Sequence, residues 1–471
     1  MLNIPEYKDA ERVFYFFEEI SKIPHGSGNT GKIADYLVNF AKARGLEYVR
    51  DEFDNVVIRK GAVAGYENRP AVVLQGHLDM VAEKVPGSLI DMESEGLEIY
   101  RDGDFLRARN TTLGGDDGVA IAYALALLDS RDIPHPDIEG VFTSDEETGL
   151  IGAVNIAPEM VRGRLLINID SDEEGIFTVG CAGGMRSDAV LNIKREEESE
   201  RRVISLTLGG FKGGHSGVEI DKGRENAIKV LFSVLAECGA RLISVSGGNA
   251  DNAIPRTCDV KIVADKAALT SALDRAKAKH AECEPDICYT VSESVEHVSL
   301  LTAESSQKAI DLINELPSGI IAMSTDVPGL VETSLNLGII RLEGDRLSAS
   351  FSVRSAKGEK KAELGKRLEG IAKKHGADYS ERGHYPAWEY REDSHLRDVM
   401  IDVYKKMYGK TPEVVIIHAG LECGILSEKL DGLDSVSIGP DNFDIHTTEE
   451  HLSISSTARV WDFLKNVLKE I

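Results

Sequence analysis

Five short segments are rich in acidic residues and histidine, and each follows an apolar run. They are GHLDM (76–80), LGGDDG (113–118), SDEETG (144–149), NIDSDEEG (168–175) and GPDNFDIH (439–446). In an open α/β sheet, functional groups gather beyond the carboxyl ends of the strands. If all five runs are strands of one sheet, one rim collects His77, Asp79, Asp116, Glu146, Glu147, Asp170 and His446. So many carboxylates at the low-dielectric end of a sheet repel one another. One or two bound divalent cations resolve that repulsion. A mixed imidazole and carboxylate set suits zinc, with manganese or cobalt as alternatives. Taken singly, each piece also has a plain reading: His77 as a loop histidine, Asp116 and Asp117 as a helix N-cap, the acidic runs as solvated loops. It is their shared position after apolar runs that points to a metal centre.

The elements that must position these residues follow from hydrophobic periodicity. Residues 9–22 and 30–44 read as helices. Short apolar runs at 56–58, 71–74, 138–143 and 165–169 then alternate with helical patterns, clearest at 119–128. Such alternation predicts an α/β fold with a mostly parallel sheet covered by helices on both faces. Near GCAGGM (180–185) the texture changes. Longer amphipathic strands, such as RSDAVLNIK (186–194) and RLSASFSVRS (346–355), are separated by polar helices near 223–238, 266–280, 303–315 and 358–375. This reads as an antiparallel sheet with helices on one face. From about 390 the first texture returns, with helices at 394–407 and 454–470 and strands at 414–417 and 435–438. The expected organisation is a catalytic α/β domain over 1–185 and 389–471, interrupted by an inserted α+β lid domain over 186–388.

The chain has 471 residues, 42% hydrophobic and 28% charged, with a net charge of −25. There is ample apolar material for a core. The negative charge argues against nucleic acid or an anionic membrane as partner and suits divalent cations. Six scattered cysteines form no CxxC pair, and no apolar stretch is long enough to span a bilayer, so a cytoplasmic location is expected. HGSGNTGK (25–32) lacks phosphate-loop spacing, which rejects nucleotide binding.

The ordered set QGHLDMV (75–81), TLGGDDGVA (112–120), DEETGLIGA (145–153), NIDSDEEG, CAGG (181–184), GGHSG (213–217), NADNAIPR (249–256) and IHAGLECG (417–424) resembles a known family along essentially the whole chain. That family is the co-catalytic di-zinc exopeptidases, which include aminoacylases and carnosinases. The resemblance is nearest to its bacterial aminoacyl-histidine (Xaa-His) dipeptidase branch. It implies a phosphorylase/hydrolase-like catalytic domain and two divalent ions, most simply zinc. Asp116 would bridge the two metals, with His77 and Asp170 completing one site and Glu147 and His446 the other. The same comparison leaves His451 as a competitor of His446. Asp79 would accept the second N–H of His77, and Glu146 would act as general base towards a metal-held water. A cis peptide is implied at Asp116–Asp117. His215 would stabilise the oxyanion, in relatives from the partner subunit. Asn252 and Arg354 would hold the substrate carboxylate, and His418 and Glu422 would lie near the substrate. The implied activity is hydrolysis of Xaa-His and other unblocked dipeptides by a homodimer joined through the lid. The alternatives are an aminoacylase or deacetylase acting on N-acyl amino acids, and a metal-binding scaffold without turnover.

Overall fold

The computed structural model describes residues 4–325, 327 and 329–471 and divides into two units. The first runs to Gly180 and resumes over Tyr390–Ile416 and Leu421–Ile471; the second comprises Cys181–Glu389 and Ile417–Gly420. The divisions therefore fall at 180/181 and 389/390 rather than at 185/186 and 388/389. Backbone hydrogen bonds explain the difference. Cys181 and Trp388 exchange N–H···O=C bonds of 3.0 and 3.1 Å, and Ala182 N–H donates to the Ile417 carbonyl at 3.0 Å. These bonds tie the crossing segments into the second unit.

The first unit is built on an eight-stranded sheet. Its order is Glu47–Arg50, Val56–Lys60, Ile138–Thr143, Val72–His77, Leu165–Asn168, Asp434–Ser437, Ile176–Cys181, Glu413–Ile417. The four strands from Ile138–Thr143 to Asp434–Ser437 are parallel. The flanks are not: Val56–Lys60 pairs antiparallel with both its neighbours, and Ile176–Cys181 runs antiparallel to Asp434–Ser437. The sheet is thus parallel only at its centre. The connection between Arg50 and Val56 is too short for the crossover that parallel pairing demands. Val72–His77, Ile138–Thr143 and Leu165–Asn168 are buried at every position, as strands covered on both faces must be.

Register aligns their ends. His77 lies opposite Thr143, Gln75 opposite Asn168, and Asn168 opposite Ser437, so these carboxyl ends share one edge. Helix Gly115–Asp129 is buried without a break from Val119 to Leu128, which fits its nearly uniform apolar sequence. It packs closely on the sheet at Gly76. A Cβ there would lie 2.4 Å from the Ala120 Cβ and 2.5 Å from Asp117 Oδ2. Glycine is what lets the helix reach the strand that ends in His77. Helices Glu11–Ser21, Gly31–Arg44, His395–Tyr408 and Ile454–Glu470 complete the core. A separate four-stranded sheet orders Asn442–Phe443, His451–Ser453, Phe105–Ala108 and Ile99–Asp102, and so holds both ends of the 442–453 segment.

The second unit is an antiparallel nine-stranded sheet. Its strands alternate, as in Gly183–Asn192 and Arg346–Ser355, and the apolar face packs on helices Ala227–Glu237, Lys266–His280, Ala303–Glu315 and Gly358–His375. This is the α+β organisation expected from the amphipathic strands. Among the described residues, no helix is long and apolar enough to cross a membrane.

Candidate metal centre and active site

In the first unit, His77 is the last residue of its strand, while Glu146 and Glu147 follow Ile138–Thr143 and Asp170 follows Leu165–Asn168. Asp116 arrives differently from expectation. It lies in the turn into helix Gly115–Asp129, while His446 lies in the loop between two strands of the four-stranded sheet. The five-run reading of a single rim therefore holds for four of the segments, since 439–446 follows strand Asp434–Ser437 of the same sheet, and only 113–118 enters from a turn into a helix.

The side chains converge on Asp116. Its Oδ1 lies 3.0 Å from His77 Nε2 and its Oδ2 lies 3.2 Å from His446 Nε2. His446 Nε2 is also 2.8 Å from Glu147 Oε1, and His77 Nε2 is 4.0 Å from Asp170 Oδ1. The candidate ligand atoms of His77, Asp116 and Asp170 lie within 4.8 Å of one another, and so do those of Asp116, Glu147 and His446. Glu146 joins a third such group with His77 and Glu147. The Asp116–Asp117 peptide is cis. His451 is turned away: its ring stacks on Phe443, and its Nδ1 meets the Glu449 carbonyl at 2.8 Å.

The surroundings of His77 select its tautomer. Nδ1–H donates to the backbone carbonyl of Asp79 at 2.9 Å, an atom that can only accept. Nε2 is thereby left facing Asp116 and Asp170. Asp79 serves His77 chiefly through that carbonyl, its carboxylate being 3.4 Å away. The carboxylate instead accepts from Glu146 N–H at 2.9 Å, Glu147 N–H at 3.3 Å and the Ser27 hydroxyl at 2.7 Å. Its larger task is to hold the two glutamates by their backbone.

Charge balance tests whether a cation fits. Asp116, Asp170, Glu146 and Glu147 share this space with two imidazoles. At an effective dielectric of about 20, each like-charged pair about 4 Å apart costs about 4 kcal/mol. Burial and then the neighbouring Asp117 and Asp116 carboxylates push Asp170 well above the usual carboxylate range, against His77. Burial opposes a charge on His77, yet Asp116, Asp79 and Asp170 hold its pKa well above the ordinary imidazole value. In the metal-free chain, protons do the work that cations would do. The nitrogen and carboxylate donors fit divalent ions of the zinc group.

A pH prediction follows. Asp116 and Glu147 raise His446 from 6.5 to about 10. Burial first, and then Glu422, Glu147 and Asp116 against His77, raise Glu146 from 4.5 to about 8. Both groups bind more protons folded than unfolded, so stability falls with rising pH. The Glu146 loss begins above 4.5 and is complete near 8. The His446 contribution is full below 6.5 and gone above about 10. With chelator present, the unfolding temperature should therefore decline between pH 6.5 and about 8. Saturating divalent cation should flatten that decline. Equal slopes with and without cation, in a thermal-shift titration, would remove the metal reading.

The second unit gathers the other expected residues. Gly214–His215 pairs with Ala253–Ile254, and Ser216 N–H donates to the Asn252 carbonyl at 2.8 Å, so His215 and Asn252 are neighbours. Arg354 lies opposite Ser334, whose hydroxyl is 2.7 Å from His418 Nε2. Arg354 donates to the Tyr385 hydroxyl at 3.0 Å, while its buried Nε has no partner among the described residues. Burial and the Arg354 charge lower the pKa of His215, and the same two causes take His418 down to about 4. Glu422 is buried within electrostatic reach of Glu146 and His77. It belongs to the first unit, is 0% exposed, and accepts from Gln75 and Thr143 at 2.6 Å each. One carboxylate oxygen thus braces the ends of the two strands that carry Gln75 and Thr143, while its buried Oε1 has no hydrogen-bond partner among the described residues.

Several residues were not singled out from the sequence. Asp117 accepts from His77 N–H at 3.1 Å. Glu450 accepts from the N–H groups of Leu113, Gly114, Gly115 and Asp116 at 2.7, 3.0, 2.8 and 3.4 Å. The adjacent acidic pair in TTEEH (447–451) was the available signal for Glu450.

The profile of Peptidase family M20/M25/M40 matches residues 73–470. The cytosol non-specific dipeptidase of Escherichia coli is 37% identical over 467 residues, covering 97% of this chain and 96% of its own. The aminoacylhistidine dipeptidase of Vibrio alginolyticus superposes with a TM-score of 0.91 at 34% identity, over 98% of this chain and 96% of its own. The aminopeptidase PepT of Bacillus cereus shares the fold at 18% identity and a TM-score of 0.56, each chain being 98% covered. With a profile match over most of its length and a full-length relative above one-third identity, this chain belongs to peptidase family M20/M25/M40.

Proposed function

We propose that the chain is a metal-dependent dipeptidase acting on Xaa-His and other unblocked dipeptides, in the cytoplasm, with zinc as the simplest metal. One observation carries this reading: the Asp116 carboxylate stands between two imidazoles, 3.0 Å from His77 and 3.2 Å from His446. Full-length similarity to a cytosol non-specific dipeptidase supports the substrate class. His77 and Asp170 would hold one ion and Glu147 and His446 the other, with Asp116 shared. Bound there, divalent cations polarise the scissile carbonyl and lower the pKa of water. Glu146 accepts the proton of the attacking water and returns it to the leaving amine. His215 serves the oxyanion, and Asn252 and Arg354 serve the substrate carboxylate, for which the planar guanidinium is suited. His418, neutral above about 4, supplies a hydrogen bond rather than a charge.

The test is a panel of free dipeptides, including β-alanyl-histidine, against N-acetylated amino acids, assayed with zinc, manganese and cobalt. Turnover of dipeptides and not of acylated amino acids is expected. Absence of dipeptide turnover in all three metals sinks the proposal. Arg354→Ala should raise KM for dipeptides about tenfold or more, since a charged hydrogen bond contributes about 1.5–3 kcal/mol. We also assign the inserted unit a homodimer surface; sedimentation of monomer alone at micromolar concentration would count against it.

A further inference from the structure

We propose that the inserted unit carries a separate site for a thiophilic divalent cation of the zinc class, held by Glu225, His280 and Cys283. The proposal is independent of the hydrolytic centre. The three residues offer a carboxylate oxygen, an imidazole nitrogen and a sulfur that lie within 4.8 Å of one another. His280 Nδ1 is 3.0 Å from a Glu225 oxygen, and the His280 side chain is 12% exposed.

Local structure brings them together and holds them. His280 ends helix Lys266–His280, and Cys283 lies in the turn that follows, its thiol donating to the His280 carbonyl at 3.3 Å. Glu225 immediately precedes Asn226, whose side chain caps helix Ala227–Glu237. Beneath both segments sits Glu284, 0% exposed. Its carboxylate accepts from the N–H groups of Glu225 at 3.0 Å and Lys212 at 2.8 Å, and its own N–H donates to the His280 carbonyl at 2.8 Å. One buried residue thus fixes the backbone at two ligands and adjoins the third. Such support beneath the ligands is what a preorganised site requires.

A simple His280–Glu225 ion pair uses two of the donors, and the thiol held beside them by the His280 carbonyl adds a soft third. Oxygen, nitrogen and sulfur at three corners, with a fourth corner for water, match the tetrahedral habit of zinc and its neighbours. Calcium and magnesium prefer all-oxygen shells of six or more and do not fit. The cation would also face the carbonyl end of a helix of 15 residues, where positive charge is stabilised. Binding expels the Cys283 thiol proton and any proton on His280.

The probe is cobalt(II) titrated into the metal-free full-length chain, with zinc as competitor. A cobalt–thiolate charge-transfer band should appear, saturate stoichiometrically and be displaced by zinc. Cys283→Ser should abolish the band and His280→Ala should weaken it, both with dipeptide turnover unchanged. No thiolate band in the parent chain, or a band that survives Cys283→Ser, overturns the proposal. If Cys283→Ser fails to fold, alkylation of the parent chain decides. Zinc should protect Cys283, read by mass spectrometry against Cys238, and equal labelling with and without zinc overturns the site.

Discussion

Replacing Glu146 by alanine is expected to lower kcat on a good dipeptide by about 10²–10⁴-fold, the usual worth of a positioned general base. Bound metal should stay unchanged and KM should move little. The geometry separates this side chain from its neighbour. Glu147 faces His446 at 2.8 Å and also groups with Asp116, whereas, among the described residues, Glu146 groups only with His77 and Glu147. Asp79 pins both by their N–H groups, so truncating Glu146 leaves Glu147 where it was. In the metal-free chain, burial first and then the surrounding carboxylates lift Glu146 from 4.5 to about 8. Glu146→Gln should be nearly as inactive as alanine, because an amide cannot take the proton. Glu146→Asp should recover part of the rate. Elemental analysis beside steady-state kinetics decides the assignment. If metal content falls together with kcat, Glu146 is a ligand; if kcat holds, the base lies elsewhere.

Much of this arrangement was legible because periodicity survives in the elements that carry it. The helical patterns at 303–315 and 454–470 are helices Ala303–Glu315 and Ile454–Glu470, and the apolar runs at 138–143 and 165–169 are central strands. Buried strands and amphipathic helices advertise themselves through their apolar positions. Other features leave no such trace. Asp116 and Asp117 are adjacent and chemically identical, yet one faces two imidazoles while the other turns back to the His77 N–H. Only the backbone path into helix Gly115–Asp129 separates them. Glu422 is expected near the substrate by the family resemblance alone, and its bonds to Gln75 and Thr143, 347 and 279 positions away, leave no trace in hydrophobic periodicity. The antiparallel flanks of the first sheet were missed because alternation of apolar runs does not report strand direction. What the sequence withheld were pairings between residues hundreds of positions apart, where one side chain meets backbone groups that carry no residue identity.

Glu450 is the strongest of those pairings. Glu450→Ala is expected to weaken divalent-metal binding by about 10–100-fold, the usual cost of losing support behind a ligand. The carboxylate is 3% exposed and accepts from four consecutive N–H groups that end at Asp116. Its own N–H donates to the Thr447 carbonyl at 3.2 Å, in the turn directly after His446. One residue therefore fixes the backbone of the shared carboxylate and that of an imidazole facing it. Truncation leaves buried N–H groups unmet, at about 1–3 kcal/mol each before water enters. Thermal stability should fall with metal affinity, while kcat should return towards the parent value at saturating cation, because Glu450 positions Asp116 without touching substrate. Glu450→Gln keeps one acceptor oxygen but loses the charge and turns an N–H₂ towards donors, so it should lie between parent and alanine. Chelator competition measures the affinity and thermal unfolding the stability. Parent-like metal affinity in Glu450→Ala would show that the Leu113–Asp116 turn holds its shape unaided.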